Sequence, residues 1–426
     1  MHKPLRRIGR MMSILALTLV PLCLAEEAAA GSIVAIGSWF KIDADVTANW
    51  QIMQPGPDPM VLQIKPKRLH SSRPLRRVLV MYPRSSSAYD TAITKIINVF
   101  EDKRVDTEFT INMFGIDTAR GRAALEAAEA SNYDLVIGMG SEATAWLWDN
   151  YRGGRLPVVS VCSKDPVLLG QMKNYTQGSG TNFAFTSLNM PIDAQMSYVL
   201  QLRPNLKNLA ILVDSTNLSA VQTQSKPAGD FARQRGIRVF DLAVKNPANV
   251  KEELGKLVRD AVAVMRKNDP DLANSLFWVT GSTTVFNEIA TINANSFRVP
   301  VLSTVTDVVR GGDDTAALSV GISFESNAYQ AGLYAVGILE NGRVAGEYPV
   351  GIVSPPDVAI SFRKAREIGL RVPFTLFEGA TVVYDNDGVL ARSGTGFVPA
   401  KAKASDPAPA APAVPAMNFD TPAKFE

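Results

Sequence analysis

Six times along the chain a short run of buried-type residues ends in a cluster of Ser, Thr, Gly or Asn, and a helical pattern follows. The first three runs are Val78-Leu-Val-Met-Tyr-Pro before Ser85-Ser86-Ser87, Leu135-Val-Ile-Gly-Met-Gly before Ser141, and Val158-Val-Ser-Val-Cys before Ser163-Lys164-Asp165-Pro166. The others are Leu209-Ala-Ile-Leu-Val-Asp before Ser215-Thr216-Asn217, Leu276-Phe-Trp-Val-Thr-Gly before Ser282-Thr283-Thr284, and Val299-Pro-Val-Leu before Ser303-Thr304. Near-continuous Val/Ile/Leu runs alternating with helices predict parallel strands covered on both faces, whose ligands sit at the strands' carboxyl ends. Those ends carry small hydrogen-bonding groups and little that could do chemistry. The pattern therefore predicts an α/β receptor for a small molecule, with two doubly wound parallel-sheet lobes facing a ligand cleft, and not an enzyme.

The case against catalysis is chemical. His2 and His70 are the only histidines, His70 falls in a predicted linker, and no G-x-S-x-G elbow is present. Gly311-Gly-Asp-Asp314 pairs two carboxylates without His or further acids at ligand spacing, which fits a solvated turn better than a metal site. No cofactor is expected.

Lys3, Arg6, Arg7 and Arg10 precede the apolar run Met11–Ala25, too short to span a bilayer and closing on small residues, so residues 1–25 read as a cleavable signal peptide. Removing them lowers Lys+Arg from 44 to 40 against 41 Asp+Glu. A near-neutral mature chain argues against a nucleic-acid partner. The expected location is the periplasm. Lipidation at Cys23 is disfavoured because Val-Pro-Leu precedes it, and Cys162 is then alone, read as a buried small hydrophobe with no disulfide.

Residues 26–75 do not share the strand-helix plan and read as an amino-terminal appendage and linker, with short strands near Ser32–Ile36 and Met60–Ile64. Helices are predicted over Tyr89–Lys103, Thr118–Ser131, Glu142–Tyr151, Pro191–Leu202, Val250–Arg266 and Ala328–Leu339. Residues 398–426, with Pro407-Ala-Pro-Ala-Ala-Pro, read as a disordered Ala/Pro-rich tail.

Candidate ligand-binding residues sit at the strand ends. Ser163 and Asp165 could hold a ligand's polar end, or cap a helix that starts at Pro166; both readings stand. Gly140 and Ser141 would let backbone approach a ligand, or form a tight turn with Ser141 as cap. Ser85, Ser86 and Ser87 offer hydroxyls beside the aromatic wall of Tyr89, while Asn217, Ser282, Thr283 and Thr304 occupy equivalent places in the later half. Trp146, Trp148 and Trp278 are read as core.

In this order the landmarks resemble the substrate-binding proteins of ABC transporters linked with tryptophan and other aromatic amino acids, from about Arg76 to Phe374. The family's Gly-Thr-x-Ala turn is matched by Gly140-Ser141-Glu142-Ala143, and its Ser-Asp-Pro-Val segment by Ser163-Lys164-Asp165-Pro166-Val167 with a lysine interposed. Its Asp-x-x-Asn is matched by Asp214 and Asn217, its late Ala-Gly-Gly by Arg310-Gly311-Gly312, and its closing Gly-Leu-x-Ile-Pro by Gly369-Leu-Arg-Val-Pro373. The resemblance implies the type I periplasmic-binding fold: lobe one near 76–187 and 321–345, lobe two near 188–320 and 346–385. It also implies hinge closure around an amino acid or similar ligand, and a monomer that presents the closed form to an inner-membrane permease. On this view a ligand ammonium would meet Asp165 or a strand-end carbonyl. Its carboxylate would meet Ser86, Ser87 and Ser141, with Asn217, Ser282 and Thr304 closing from lobe two. A ligand sensor or a non-binding envelope adaptor would keep the same fold. Gly180-Thr-Asn-Phe-Ala184 and Asp313-Asp314-Thr315 depart from the family pattern and leave the ligand open.

Overall fold

A computed structural model describes residues 33–397 apart from 37, 73 and 395, so the predicted signal peptide and the Ala/Pro tail lie outside the described residues. Each apolar run predicted as a parallel strand is one, and the reason is visible in where its side chains go. In Arg76–Tyr82, Val78, Val80 and Tyr82 enter one apolar cluster while Leu79 and Met81 enter another on the opposite face. In Asn208–Asp214, Leu209 and Ile211 likewise separate from Ala210 and Leu212. Successive side chains of a strand point to opposite faces, so a continuous run needs cover on both.

Among the described residues two large sheets result. The first runs, edge to edge, through Trp50–Met53, Val61–Pro66, Thr107–Met113, Arg76–Tyr82, Leu135–Met139, Val158–Val161 and Phe183–Ala184. The second runs through Arg238–Val244, Asn208–Asp214, Ser275–Val279, Val301–Ser303, Leu318–Gly321, Asp357–Ser361, Val382–Tyr384, Leu390–Ser393 and Gly396–Phe397. Pairing is parallel from Thr107–Met113 to Phe183–Ala184 and from Arg238–Val244 to Leu318–Gly321. The carboxyl ends of these strands are thus brought level by register, with Met81 opposite Gly138 and Val279 opposite Ser303.

The six predicted helices are observed as Ser87–Asp102, Thr118–Ala130, Gly140–Tyr151, Ile192–Leu202, Val250–Met265 and Phe324–Asn341, and further ones not predicted include Lys226–Gln234, Ile289–Asn295 and Phe362–Ile368. Asp117 and Ser323 cap two of them, accepting from the amides of Arg120 (2.9 Å) and Ser326 (3.0 Å). Gly342, at φ +63°, ends Phe324–Asn341 in the left-handed region.

The described part of the stretch read as an appendage packs on the first sheet. Trp50–Met53 and Val61–Pro66 extend the first sheet by two antiparallel strands, the second of them paired with Thr107–Met113. Ahead of them, Ile33–Ile36 and Phe40–Asp43 form a hairpin that delivers Trp39 and Phe40 onto Tyr82, with ring centroids 6.1 and 6.2 Å apart. Tyr82 in turn meets Tyr89 edge-on at 5.6 Å and donates its hydroxyl to the Tyr89 carbonyl at 2.9 Å. Trp39, Phe40, Ile42 and Trp50 are all buried. Four large apolar side chains withdrawn from water contribute several kcal/mol in total, at about 1.5–3 kcal/mol each.

Candidate functional site

The residues that follow the parallel strands of both sheets meet at one cavity of about 60 Å³. Arg84, Ser86 and Tyr89 come from the end of Arg76–Tyr82, Ser141 and Glu142 from the end of Leu135–Met139, and Cys162 and Lys164 from the end of Val158–Val161. From the second sheet come Asn217 and Ser219, Gly281 and Thr283, and Thr304 and Val305, with Ile322, Phe324 and Phe286 as apolar wall. A crevice at strand carboxyl ends is where open α/β sheets bind ligands. A larger groove of about 810 Å³ lies beside it. The crossing segments divide the two, since Thr304, Val305, Ile322 and Phe324 face the cavity while Thr306, Asp307, Ser323 and Glu325 face the groove.

Six of the twelve predicted site residues line the cavity: Ser86, Tyr89, Ser141, Asn217, Thr283 and Thr304. Ser86 stands at the N-cap of Ser87–Asp102 without using its side chain to cap, so its hydroxyl is left for the cavity. The Ser141 hydroxyl accepts the Lys164 amide at 2.9 Å, and Asn217 Oδ1 accepts the Ala220 amide at 3.1 Å.

The other six are placed elsewhere. Ser85 donates to the Trp39 carbonyl at 2.8 Å, and Ser87 is exposed on the outer side of its helix. Gly140 sits at φ +77°, where a Cβ would overlap the Tyr89 hydroxyl, so it makes room for a neighbour and does not face the cavity itself. Ser163 is buried with its hydroxyl unpartnered, and the Ser282 hydroxyl accepts the Asp214 amide at 3.3 Å. No helix starts at Pro166, where the chain makes a turn, so Asp165 caps none: its Oδ1 accepts the amides of Val167 (2.8 Å) and Leu168 (3.1 Å) within that turn, and its Oδ2 accepts the Tyr175 hydroxyl (2.7 Å). It does not line the cavity, so it offers no partner there to a ligand ammonium. The three tryptophans predicted as core also stay out of it.

The group that sequence reasoning passed over is Lys164. Only 7% exposed, its side chain reaches from the first sheet across to Gly281 of the second, where a Cβ would overlap the Lys164 Nζ. Gln224 holds that far wall in place, its Oε1 accepting the Gly281 amide at 2.7 Å and its Nε2 donating to Thr304 Oγ1 at 3.4 Å. Among the described residues the Lys164 ammonium has no hydrogen bond or ion pair. Burial pushes it down from 10.5 to about 8, with the nearby Cys162 opposing, so it is still mostly protonated at neutral pH. Burial pushes Cys162 and Tyr89 up, which keeps both neutral. At the rim Arg84 pairs with Glu142 at 3.6 Å, both half exposed. The signal for Lys164 was present in the sequence as the one residue interposed in the Ser-Asp-Pro-Val match.

Among the described residues no cluster of His, Cys, Asp or Glu could hold a metal ion, and no helix is long and apolar enough to cross a membrane. No curated protein sequence matches this chain. In solved structures, the L-Trp complex of an ABC domain from Streptococcus pneumonia is similar at 20% identity and TM-score 0.58, covering 73% of this chain and 100% of that one. A conserved domain protein of Vibrio cholerae aligns at 17% identity and TM-score 0.58 over the same shares of the two chains. The open, ligand-free form of a substrate binding protein with adhesive properties from Clostridium difficile aligns at 17% identity and TM-score 0.54, covering 72% of this chain and 98% of that one. These likenesses show the type I periplasmic-binding fold. The profile of ABC transporter substrate binding proteins matches residues 93–383, and with more than half its length inside that match the chain belongs to this family of solute-binding proteins, which are not enzymes.

Proposed function

We propose that the protein is a periplasmic solute-binding protein that closes its two lobes over a small organic ligand and presents the closed form to an ABC permease. Members of its family bind small ligands and work with ABC transporters. The observation that carries the reading is the convergence of strand ends from both sheets on one cavity, so that a ligand touching Ser86 and Ser141 also touches Asn217 and Thr304. Such a ligand binds the closed form better than the open one, which is what hinge closure requires. The basic and apolar start of the chain supports export by a cleaved signal peptide.

A second reading, the non-binding envelope adaptor, is favoured by one observation: the Lys164 side chain crosses the cleft and leaves about 60 Å³, room for only a few waters. A thermal-shift screen of the purified mature chain against amino acids, hydroxy acids, short peptides, sugars and purines separates the two. A ligand at 100 times its dissociation constant adds about 2.7 kcal/mol, a readable rise in melting temperature. Silence across the whole panel would overturn the solute-binding reading in favour of the adaptor.

A further inference from the structure

We infer that the cleft takes a small organic carboxylate that carries no ammonium group, with Lys164 as its charge partner. This rests on the solute-binding reading above and names its ligand class.

The cavity's charged lining consists of Arg84, Glu142 and Lys164, a balance of 2 − 1 = +1. Its one acid, Glu142, is at the rim and already paired with Arg84 at 3.6 Å, while Asp165 lies outside the cavity, its oxygens taken by the turn amides of Val167 and Leu168 and by the Tyr175 hydroxyl. A ligand ammonium would find no carboxylate inside and would face another ammonium. A carboxylate finds the reverse: the buried, unpartnered Lys164, the O–H of Ser141, whose oxygen already accepts the Lys164 amide, and the uncommitted hydroxyl of Ser86. It also meets the amino-terminal ends of the Ser87–Asp102 and Gly140–Tyr151 helices, where amide dipoles favour negative charge.

The lysine is built into this place. Gly281 leaves it the space a Cβ would fill, and Gln224 fixes the Gly281 amide. Because Lys164 belongs to the first sheet and reaches the wall of the second, closure without a ligand buries a lone cation between the lobes. An anion bound there neutralises that cation at the moment of closure, so the ligand's charge itself drives the closed state.

The test is titration calorimetry on the mature full-length chain with matched pairs that differ only in hydroxyl against ammonium: L-lactate with L-alanine, and L-phenyllactate with L-phenylalanine. The hydroxy acid is expected to bind at least about tenfold more tightly in any pair that binds, as a charge-assisted bond to a desolvated partner allows. Lys164→Met and Lys164→Gln, each checked for a cooperative melt, should reduce that preference to within about twofold. An amino acid bound as tightly as its hydroxy-acid partner would overturn the inference while leaving the solute-binding reading intact. So would a hydroxy-acid preference that survives both substitutions, or binding confined to neutral sugars. No binding by any solute would overturn both readings.

Discussion

Replacing Lys164 by Met keeps most of the side chain's volume in the cleft and removes its charge. In the wild type, burial lowers the ammonium from 10.5 to about 8. At about 1.4 kcal/mol per pH unit this amounts to about 3 kcal/mol of lost folding stability at neutral pH. Because the side chain is only 7% exposed, solvent screens little of that cost. The unfolded chain holds its proton up to 10.5 while the folded chain releases it near 8, so below pH 8 the penalty is present in full. Between about 8 and 10.5 the unfolded state binds more protons than the folded one, and wild-type stability rises with pH through that window relative to the variant. Above it the penalty is gone. The other charged groups of the cavity lining are Arg84 and Glu142, Cys162 stands near the ammonium, and Asp307 acts on that thiol; all are shared by both proteins. Urea denaturation followed by tryptophan fluorescence at pH 7, 8.5 and 10 reads the comparison. Lys164→Met is expected to be more stable by about 3 kcal/mol at pH 7 and to lose most of that advantage by pH 10. A variant less stable at pH 7, or one whose advantage does not change with pH, would refute the claim that a lone buried cation strains the closed cleft.

Gly140→Ala should destabilise the fold by about 1–3 kcal/mol for its backbone at φ +77°, and by more for the collision with Tyr89. Pairing it with Tyr89→Phe in a double-mutant cycle should recover only part of the steric loss, since the ring's Cζ and Cε1 stay 2.7 and 2.9 Å from the added Cβ, and should leave the backbone part. Additive losses would show that the hydroxyl is not what occupies the space. Asp165→Asn should cost about 1–2 kcal/mol in urea melts by weakening the bonds that hold the turn at Val167 and Leu168 and the acceptor of Tyr175, yet leave the affinity for any ligand found within about twofold. A large affinity loss without a stability loss would return Asp165 to the site.

Strands buried on both faces were readable because nothing but a run such as Leu135–Met139 can fill two apolar layers at once. Thr107–Met113 escaped notice because Glu108, Thr110 and Asn112 alternate with Phe109 and Ile111, leaving no continuous run, although it pairs in parallel beside Arg76–Tyr82. Trp50–Met53 and Val61–Pro66 read as separate from the plan because they join the sheet antiparallel, with no crossover helix to announce them. At the site, position in the chain found the right loops but not the right side chains. Ser85, Ser86 and Ser87 are chemically equivalent in sequence, yet only the middle one faces the cavity as the chain enters its helix. Lys164 was passed over for a physical reason: a lysine is normally solvated, and only the three-dimensional placement of Gly281 and Gln224 gives it a buried berth.

The Tyr89 hydroxyl that fills the empty side of Gly140 belongs to a ring braced by Tyr82, and Tyr82 is braced by Trp39 and Phe40. The family match begins only at residue 93. One wall of the cavity is therefore braced by residues that lie ahead of the matched stretch. Exchanging cleft residues with those of a relative would move the hydroxyls and the lysine but leave behind the aromatic stack that sets the Tyr89 ring. Ligand preference in such a hybrid would follow the origin of the first sixty described residues as much as the residues that touch the ligand.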